Sequence, residues 1–233
     1  MPEYIDSILE WRQLREAALK ASDGWLTVAG LFWLEQGPNN VEGLLFILSD
    51  TIVTHNGNVL RPDVDTVTLG QKTLFVIVRG PKIGLRMRDQ QSIFLRDFKE
   101  LKWFLVNPDF RIIAHWIPYS EPQLRFLNTV IDVEEEYNSP GIAEFIVNGV
   151  TCQLEPVLSG TRLFFVFRDA TSGKTTYGAS RFLYADAAVD GHVILDFNKA
   201  YSPPCAFTPF ATCPLPLDRN RLTVAIEAGE LKP

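Results

Sequence analysis

The sequence predicts a mainly β protein: an antiparallel β-sandwich or barrel, with an N-terminal helix ahead of it and an irregular proline-rich segment near the C-terminus. Three observations carry this expectation. Only the first stretch of the chain repeats its apolar side chains at helical spacing. Asn-Gly and Asp-Gly pairs then recur between short apolar runs. Five prolines finally crowd into "DFNKAYSPPCAFTPFATCPLP", residues 196–216.

The helix is expected from about Glu3 to Ala21. Ile5, Ile8, Trp11, Leu14 and Ala18 recur along one face, charged residues fall largely between them, and Asp23-Gly24 stops the pattern. Its plain reading is a helix packed across a sheet. The following run, "GWLTVAGLFWLEQGPNN", ends in a turn cluster, and periodicity does not choose between strand and short helix for its apolar part. Hairpins are expected at Asn56-Gly57, Asn148-Gly149 and Asp190-Gly191, because these pairs accept the positive φ angles of tight turns. Ser159-Gly160 and Ser172-Gly173 are weaker versions of the same signal. Strands joined so briefly must be antiparallel. The domain expectation is a helix over 1–23 and a β body over 24–233. Pro118–Gly141, rich in Pro, Asn and acid, is either the meeting place of two β modules or a pair of strands with a solvated edge.

Composition bounds the function. The net charge is −6, which argues against a nucleic-acid partner, since a phosphate backbone needs a clustered basic surface. No apolar run is long enough for a membrane span. The start has acidic residues where a signal peptide would be basic and then apolar, so a cytoplasmic location is expected. Cys152, Cys205 and Cys213 make no disulfide framework and read as thiols, with an oxidised Cys205–Cys213 pair as the alternative. Sixteen phenylalanines and five tryptophans suit packing between sheets and also an apolar pocket. No cofactor is identifiable, and oligomeric state is open.

Several chemistries lack their motifs. Gly173-Lys174-Thr175 resembles the tail of a phosphate loop, but Arg168 stands where its first glycine belongs. There is no G-x-S-x-G elbow, no Cys-x-x-Cys and no His-x-x-x-His, and His55, His115 and His192 stand far apart in sequence. No metal ligands are assigned.

Two segments concentrate reactive side chains. "RLFFVFRDATSGKTTYGASRFLY" predicts a hairpin with its turn near Thr171–Lys174 and Tyr177 to Tyr184 as its second strand. That places Asp169, Thr171, Ser172, Tyr177 and Arg181 near one end. In "GHVILDFN", alternation sets His192, Ile194 and Asp196 on one face. A carboxylate and a guanidinium in such apolar strands need partners, and Arg181 with Asp196 is the expected pair, either structural or ligand-binding. The prolines after it, Pro203, Pro204, Pro209, Pro214 and Pro216, fix φ and remove donors, which suits a preorganised pocket wall or an architectural strap.

At these residues the chain resembles a known family. "FRDATSGKTTYGASRFL", "DFNKAYSPPCAFTPFATCPLP" and "NRLTVAIEAGE", with "GWLTVAGLFWLEQG" and "RGPKIGLRMRD", are similar to the signature of the domain of unknown function 1684 family, found in bacteria, archaea and fungi. The resemblance covers nearly the whole chain. The family brings no established activity. It marks positions: Arg79, Gly80, Gly84, Arg86, Asp89, Asp169, Thr171, Ser172, Gly173, Tyr177, Gly178, Arg181, Asp196, Asn198, Tyr201, Cys205, Asn220, Arg221 and Glu230. Family members often carry a longer segment after the first block, similar to a small forkhead-associated sandwich. Here Leu44 replaces the serine of its opening motif, which weakens any phosphopeptide role.

Three functions stay open. The first is an enzyme acting on a small anionic or polar molecule, with Arg79, Arg86, Arg181, Asn198, Thr171, Ser172 and Arg221 as ligand contacts. In it Asp196 or Asp169 is the base, Tyr177 a proton donor and Cys205 a nucleophile. The others are a non-catalytic ligand-binding β-domain and a purely structural one.

Overall fold

The computed structural model describes Pro2–Pro233. The chain is mainly strand in antiparallel sheets, with a long N-terminal helix. It divides into two compact units. The smaller holds Ala17–Lys99 and Phe207–Thr212, and the larger holds the described residues up to Glu16 together with Glu100–Ala206 and Cys213–Pro233. No helix among the described residues is long and apolar enough to cross a membrane.

Helix α1 spans Pro2–Lys20. Its buried face is not the purely apolar stripe expected. Ile8 and Leu19 are buried, but Leu14 and Ala18 face outward, and Arg12 takes the inward position that a sequence reading gives to hydrophobes. The reason is aromatic. Within the larger unit, Arg12 lies 4.7 Å from the centre of the Trp103 ring and Arg15 4.6 Å from that of Tyr201. The aliphatic stems of both arginines cover apolar surface while their heads meet ring faces.

In the smaller unit one turn of 3₁₀ helix, Trp25–Thr27, leads into strand β1 (Val28–Trp33), which settles the ambiguous run as mostly strand. Then come β2 (Gly37–Val41), β3 (Leu44–Ser49), β4 (Ile52–His55), β5 (Asn58–Leu60), β6 (Thr66–Leu69), β7 (Lys72–Arg79) and β8 (Lys82–Asp89). Helix α2 (Ile93–Asp97) follows, with the Ser92 hydroxyl accepting from the Phe94 amide. One sheet has the order β1-β8-β7-β6 and the other β2-β3-β4-β5. Both feed one core, in which Phe46, Leu48 and Val53 meet Leu74, Val76 and Leu85. Strand β3 alternates as a half-buried strand should: Phe46 and Leu48 are buried, Leu45 and Ile47 exposed.

The larger unit carries β9 (Arg111–Asn128), β10 (Glu134–Val147), β11 (Val150–Leu154), β12 (Val157–Ser159), β13 (Arg162–Phe167), β14 (Arg181–Ala185) and β15 (His192–Asp196). Its sheets have the orders β11-β10-β9-β15 and β12-β13-β14. Phe145, Phe165, Phe167, Leu183, Leu195 and Phe197 pack between them. Each fully buried side chain of this size contributes about 1.5–3 kcal/mol. The acid-rich stretch 118–141 consists of the paired ends of β9 and β10, with a register break between Ser139 and Gly141.

The turn chemistry follows the sequence closely at Asn56-Gly57 and Asn148-Gly149. Both residues of each pair have positive φ (49° and 78°; 51° and 77°), and they join β4 to β5 and β10 to β11. The expected hairpin at Thr171–Lys174 is corrected. Phe167 pairs with Arg181, so residues 168–180 form a loop and Tyr177 lies in it rather than in a strand. The carbonyl of Thr171 gathers the amides of Lys174, Thr175 and Thr176, which folds this loop on itself before a ladder can extend. After β15 no named strand forms. The chain proceeds through isolated 3₁₀ turns, as its prolines require. Near its end Gly229 sits at φ +84°, and a Cβ there would stand 2.4 Å from the Ala200 carbonyl oxygen, so only glycine fits.

Candidate functional site

The residues singled out in the sequence separate into four places. Arg79 and Arg86 lie in the smaller unit, where both donate to the Thr212 hydroxyl, at 3.0 and 3.3 Å, and Arg86 also lies 4.9 Å from the Trp25 ring centre. Arg221 is on the surface of the larger unit, 3.4 Å from the exposed Asp218.

The third place is a sealed tie. Arg181 is entirely buried at the start of β14, and its partner is Asp169, at 2.5 Å. The expected Arg181–Asp196 pair is therefore corrected: the loop 168–180 carries Asp169 back over Arg181, and Asp196 lies elsewhere. Arg181 also donates to the carbonyls of Ala228 and Ile226. Asp169 accepts from the Thr171 amide and hydroxyl on one oxygen, and from Arg181 and the Ile226 amide on the other. The Ser172 hydroxyl accepts from the Asp169 amide at 3.1 Å. Every strong acceptor position of the carboxylate is taken, so this network fastens the C-terminal segment to the 168–180 loop. Close by, the Tyr177 hydroxyl donates to the Cys205 carbonyl at 3.0 Å, joining the loop to the proline segment. Burial and the neighbouring cysteines push the Tyr177 phenol upward, which keeps it a donor.

The fourth place is an open groove of about 740 Å³. Pairing of β15 with β9 builds its floor: Asp196 lies opposite Arg111, Ile194 opposite Ile113, and His192 opposite His115. Period two then sets Arg111, Ile113, His192, Ile194 and Asp196 on one face. Tyr184 of β14, Arg162 at the start of β13 and Lys199 complete the lining, with Asp186 at the rim. Arg162 lies over the Tyr184 ring, 5.1 Å from its centre, and its 3.4 Å approach to the exposed Asp186 is a weak surface pair. A second hollow of about 430 Å³, lined by Trp11, Leu14, Arg15 and Tyr201, shares Arg162, Tyr184 and Lys199 with the first. The two hollows thus adjoin at a boundary that carries two cations, Arg162 and Lys199.

Asp196 is held from below. One of its oxygens, Oδ1, accepts from the Tyr4 hydroxyl at 2.8 Å and from the Asn198 amide at 3.2 Å. Asn198, fully buried, exchanges hydrogen bonds with the backbone of Asn107 and donates to the Tyr4 hydroxyl at 3.0 Å. Burial and the Asp196 carboxylate push the Tyr4 phenol well above its ordinary value, so Tyr4 stays a donor. Among the described residues, no hydrogen bond reaches the other oxygen of Asp196, which is half-buried in the groove lining.

Beside the second hollow sits Glu230, fully buried, with Arg15 Nε 3.5 Å from one carboxylate oxygen. That is an ion-pair separation without hydrogen-bonding geometry. The Ser202 hydroxyl and amide stand near enough to favour the ionised form, also without that geometry. Burial dominates and pushes the Glu230 carboxyl up to about 7.

Of the residues chosen from sequence, Asp196 is in the groove lining and Asn198 supports it. Arg111, Arg162, Tyr184, Lys199 and Tyr4 were missed. The alternation of "RIIAHWI" puts Arg111, Ile113 and His115 on one face, but nothing local says that β15 pairs with it. His115 and His192, far apart in sequence, have ring centres 6.3 Å apart. No group of three or more His, Cys, Asp or Glu able to hold a metal ion gathers among the described residues.

Comparison with known proteins returned no match among curated proteins. Among solved structures, the chain is similar to an uncharacterised protein of Haloarcula marismortui determined by solution NMR. The identity is 33%, over 58% of this chain and 78% of that one, with a TM-score of 0.49. A family model described as "Protein of unknown function (DUF1684)" matches residues 96–231, more than half of the sequence, including all of Glu100–Ala206 and most of Cys213–Pro233 in the larger unit. The chain belongs to the DUF1684 family.

Proposed function

We propose that the protein binds a small organic anion with an apolar body in the groove of the larger unit. The observation that carries this reading is the placement of Arg111, Arg162 and Lys199 around Ile113, Ile194 and Tyr184, on a protein whose net charge is −6. Three cations against the two carboxylates of Asp186 and Asp196 leave this lining net positive on an acidic chain, which suits an anionic head and an apolar remainder. Asp196 supplies an enzymatic extension of the same reading. With Oδ1 committed to Tyr4 and Asn198, Oδ2 is the atom placed to accept a proton from a bound molecule.

A thermal-shift screen against organic anions and their neutral analogues tests the binding. Anions with an apolar body are expected to raise Tm, since a ligand at about 100 times its Kd adds about 2.7 kcal/mol. The same shifts should disappear in Arg111→Gln and in the double variant Arg162→Gln/Lys199→Gln. Neutral analogues that perform as well as anions, or shifts that persist in these variants, would overturn the proposal.

A further inference from the structure

Cys205 and Cys213 flank Phe207–Thr212, the stretch that belongs to the smaller unit, while both cysteines belong to the larger one. Pro203 and Pro204 precede Cys205, and Pro214 directly follows Cys213. The backbone is thus held at both ends. The Cys205 amide donates to the Cys213 sulfur at 3.3 Å. The Cys213 side chain also stands near enough to hydrogen-bond to the Cys205 thiol. Cys205 is partly exposed, Cys213 is buried, and neither is in a disulfide. The third cysteine, Cys152, lies buried in β11, and burial pushes its thiol upward.

We infer that Cys205 and Cys213 form a peroxide-reactive dithiol, with Cys205 as the attacking thiol and Cys213 as the resolving one. Exposure assigns the order, because a peroxide reaches Cys205 first. Hydrogen bonding from the Cys213 side chain is the chief influence lowering the Cys205 thiol, against the opposing effect of burial, so more of it is thiolate at neutral pH. The oxidant is a hydroperoxide. The Cys205 thiolate attacks one peroxide oxygen and the O–O bond breaks. Cys205 becomes a sulfenic acid, and the departing oxygen takes up a proton. The Cys213 sulfur then attacks the sulfenic sulfur. The S–S bond forms, hydroxide leaves, and it combines with the Cys213 proton as water. Two electrons pass from the two sulfurs to the peroxide.

The full-length reduced protein, treated with hydrogen peroxide, alkylated and then peptide-mapped, tests this. The wild type should lose two hydrogens and give one linked pair, Cys205–Cys213, with Cys152 alkylated only after unfolding. Cys213→Ser should stop at a Cys205 sulfenic acid that a dimedone probe captures. Cys205→Ser should lower the rate of peroxide-dependent thiol loss by roughly tenfold or more, because the remaining thiols are buried. The inference is overturned if the wild type forms no Cys205–Cys213 link. It is equally overturned if Cys213→Ser yields no dimedone adduct at Cys205, or if Cys205→Ser reacts as fast as the wild type.

Discussion

The larger unit contains two arginine–aspartate neighbourhoods that differ in what surrounds them. Arg181 and Asp169 are sealed from solvent, and the aspartate accepts four hydrogen bonds. Arg111 and Asp196 lie opposite each other on β9 and β15 in the lining of a groove, and one oxygen of the aspartate takes no hydrogen bond among the described residues. The same pair of residue types thus makes a tie in one place and a receptive surface in the other. What separates them is saturation. A carboxylate whose lone pairs are all engaged in a dry interior has nothing left for a ligand, whereas a supported one with a spare oxygen does.

Stability measurements can break this comparison. The largest effect is expected at the tie. Asp169→Asn should cost about 3–5 kcal/mol, because it leaves Arg181 buried without its counter-charge. The double variant Asp169→Asn/Arg181→Met should recover a large part. Urea midpoints for the single and double variants check this, and a loss under about 1 kcal/mol for Asp169→Asn would remove the tie from the account.

Next in size is a pH effect at Glu230. Its folded value, about 7, lies above the ordinary 4.5 of a glutamate. The folded state therefore holds a proton that the unfolded chain has released, and stability is lost as pH rises from about 4.5 through about 7. The sum is on the order of 3 kcal/mol. Glu230→Gln should flatten that part of the profile. An unchanged difference in unfolding free energy between pH 5 and pH 8 in the variant would assign the slope to other groups.

The smallest effect is expected at the groove. Arg162→Gln should change stability by no more than about 0.5 kcal/mol, since Arg162 is half exposed and its ion pair with Asp186 is screened. It should still weaken the anion-dependent thermal shift, which the double variant with Lys199→Gln removes. A large loss of stability would make Arg162 part of the scaffold and erase the contrast with Arg181.

Local chemistry made much of this fold readable. Asn56-Gly57 and Asn148-Gly149 announce their turns because few other pairs take two positive φ angles cheaply. The helix is readable from its spacing, and the alternation of β15 correctly puts Asp196 outward with Ile194. The inward face of α1 was less readable, because Arg12 and Arg15 are placed by aromatic rings distant in sequence. The partner of Arg181 was misread for a similar reason. Thr171 curls the 168–180 loop so that Asp169, twelve residues before Arg181, returns to it.

From sequence alone followed the antiparallel character, the N-terminal helix, the turns and the refusal of the proline segment to form strand. Each depends on φ preferences or on periodicity within a few residues. Tertiary structure decided that Asp169 rather than Asp196 satisfies Arg181, that β15 lies beside β9, and that Arg111, Arg162 and Lys199 ring one hollow. Those outcomes depend on which distant strands pair and on where a charge finds its hydrogen-bond partners. They are set by the burial of whole faces at once, and no local window of residues contains that information.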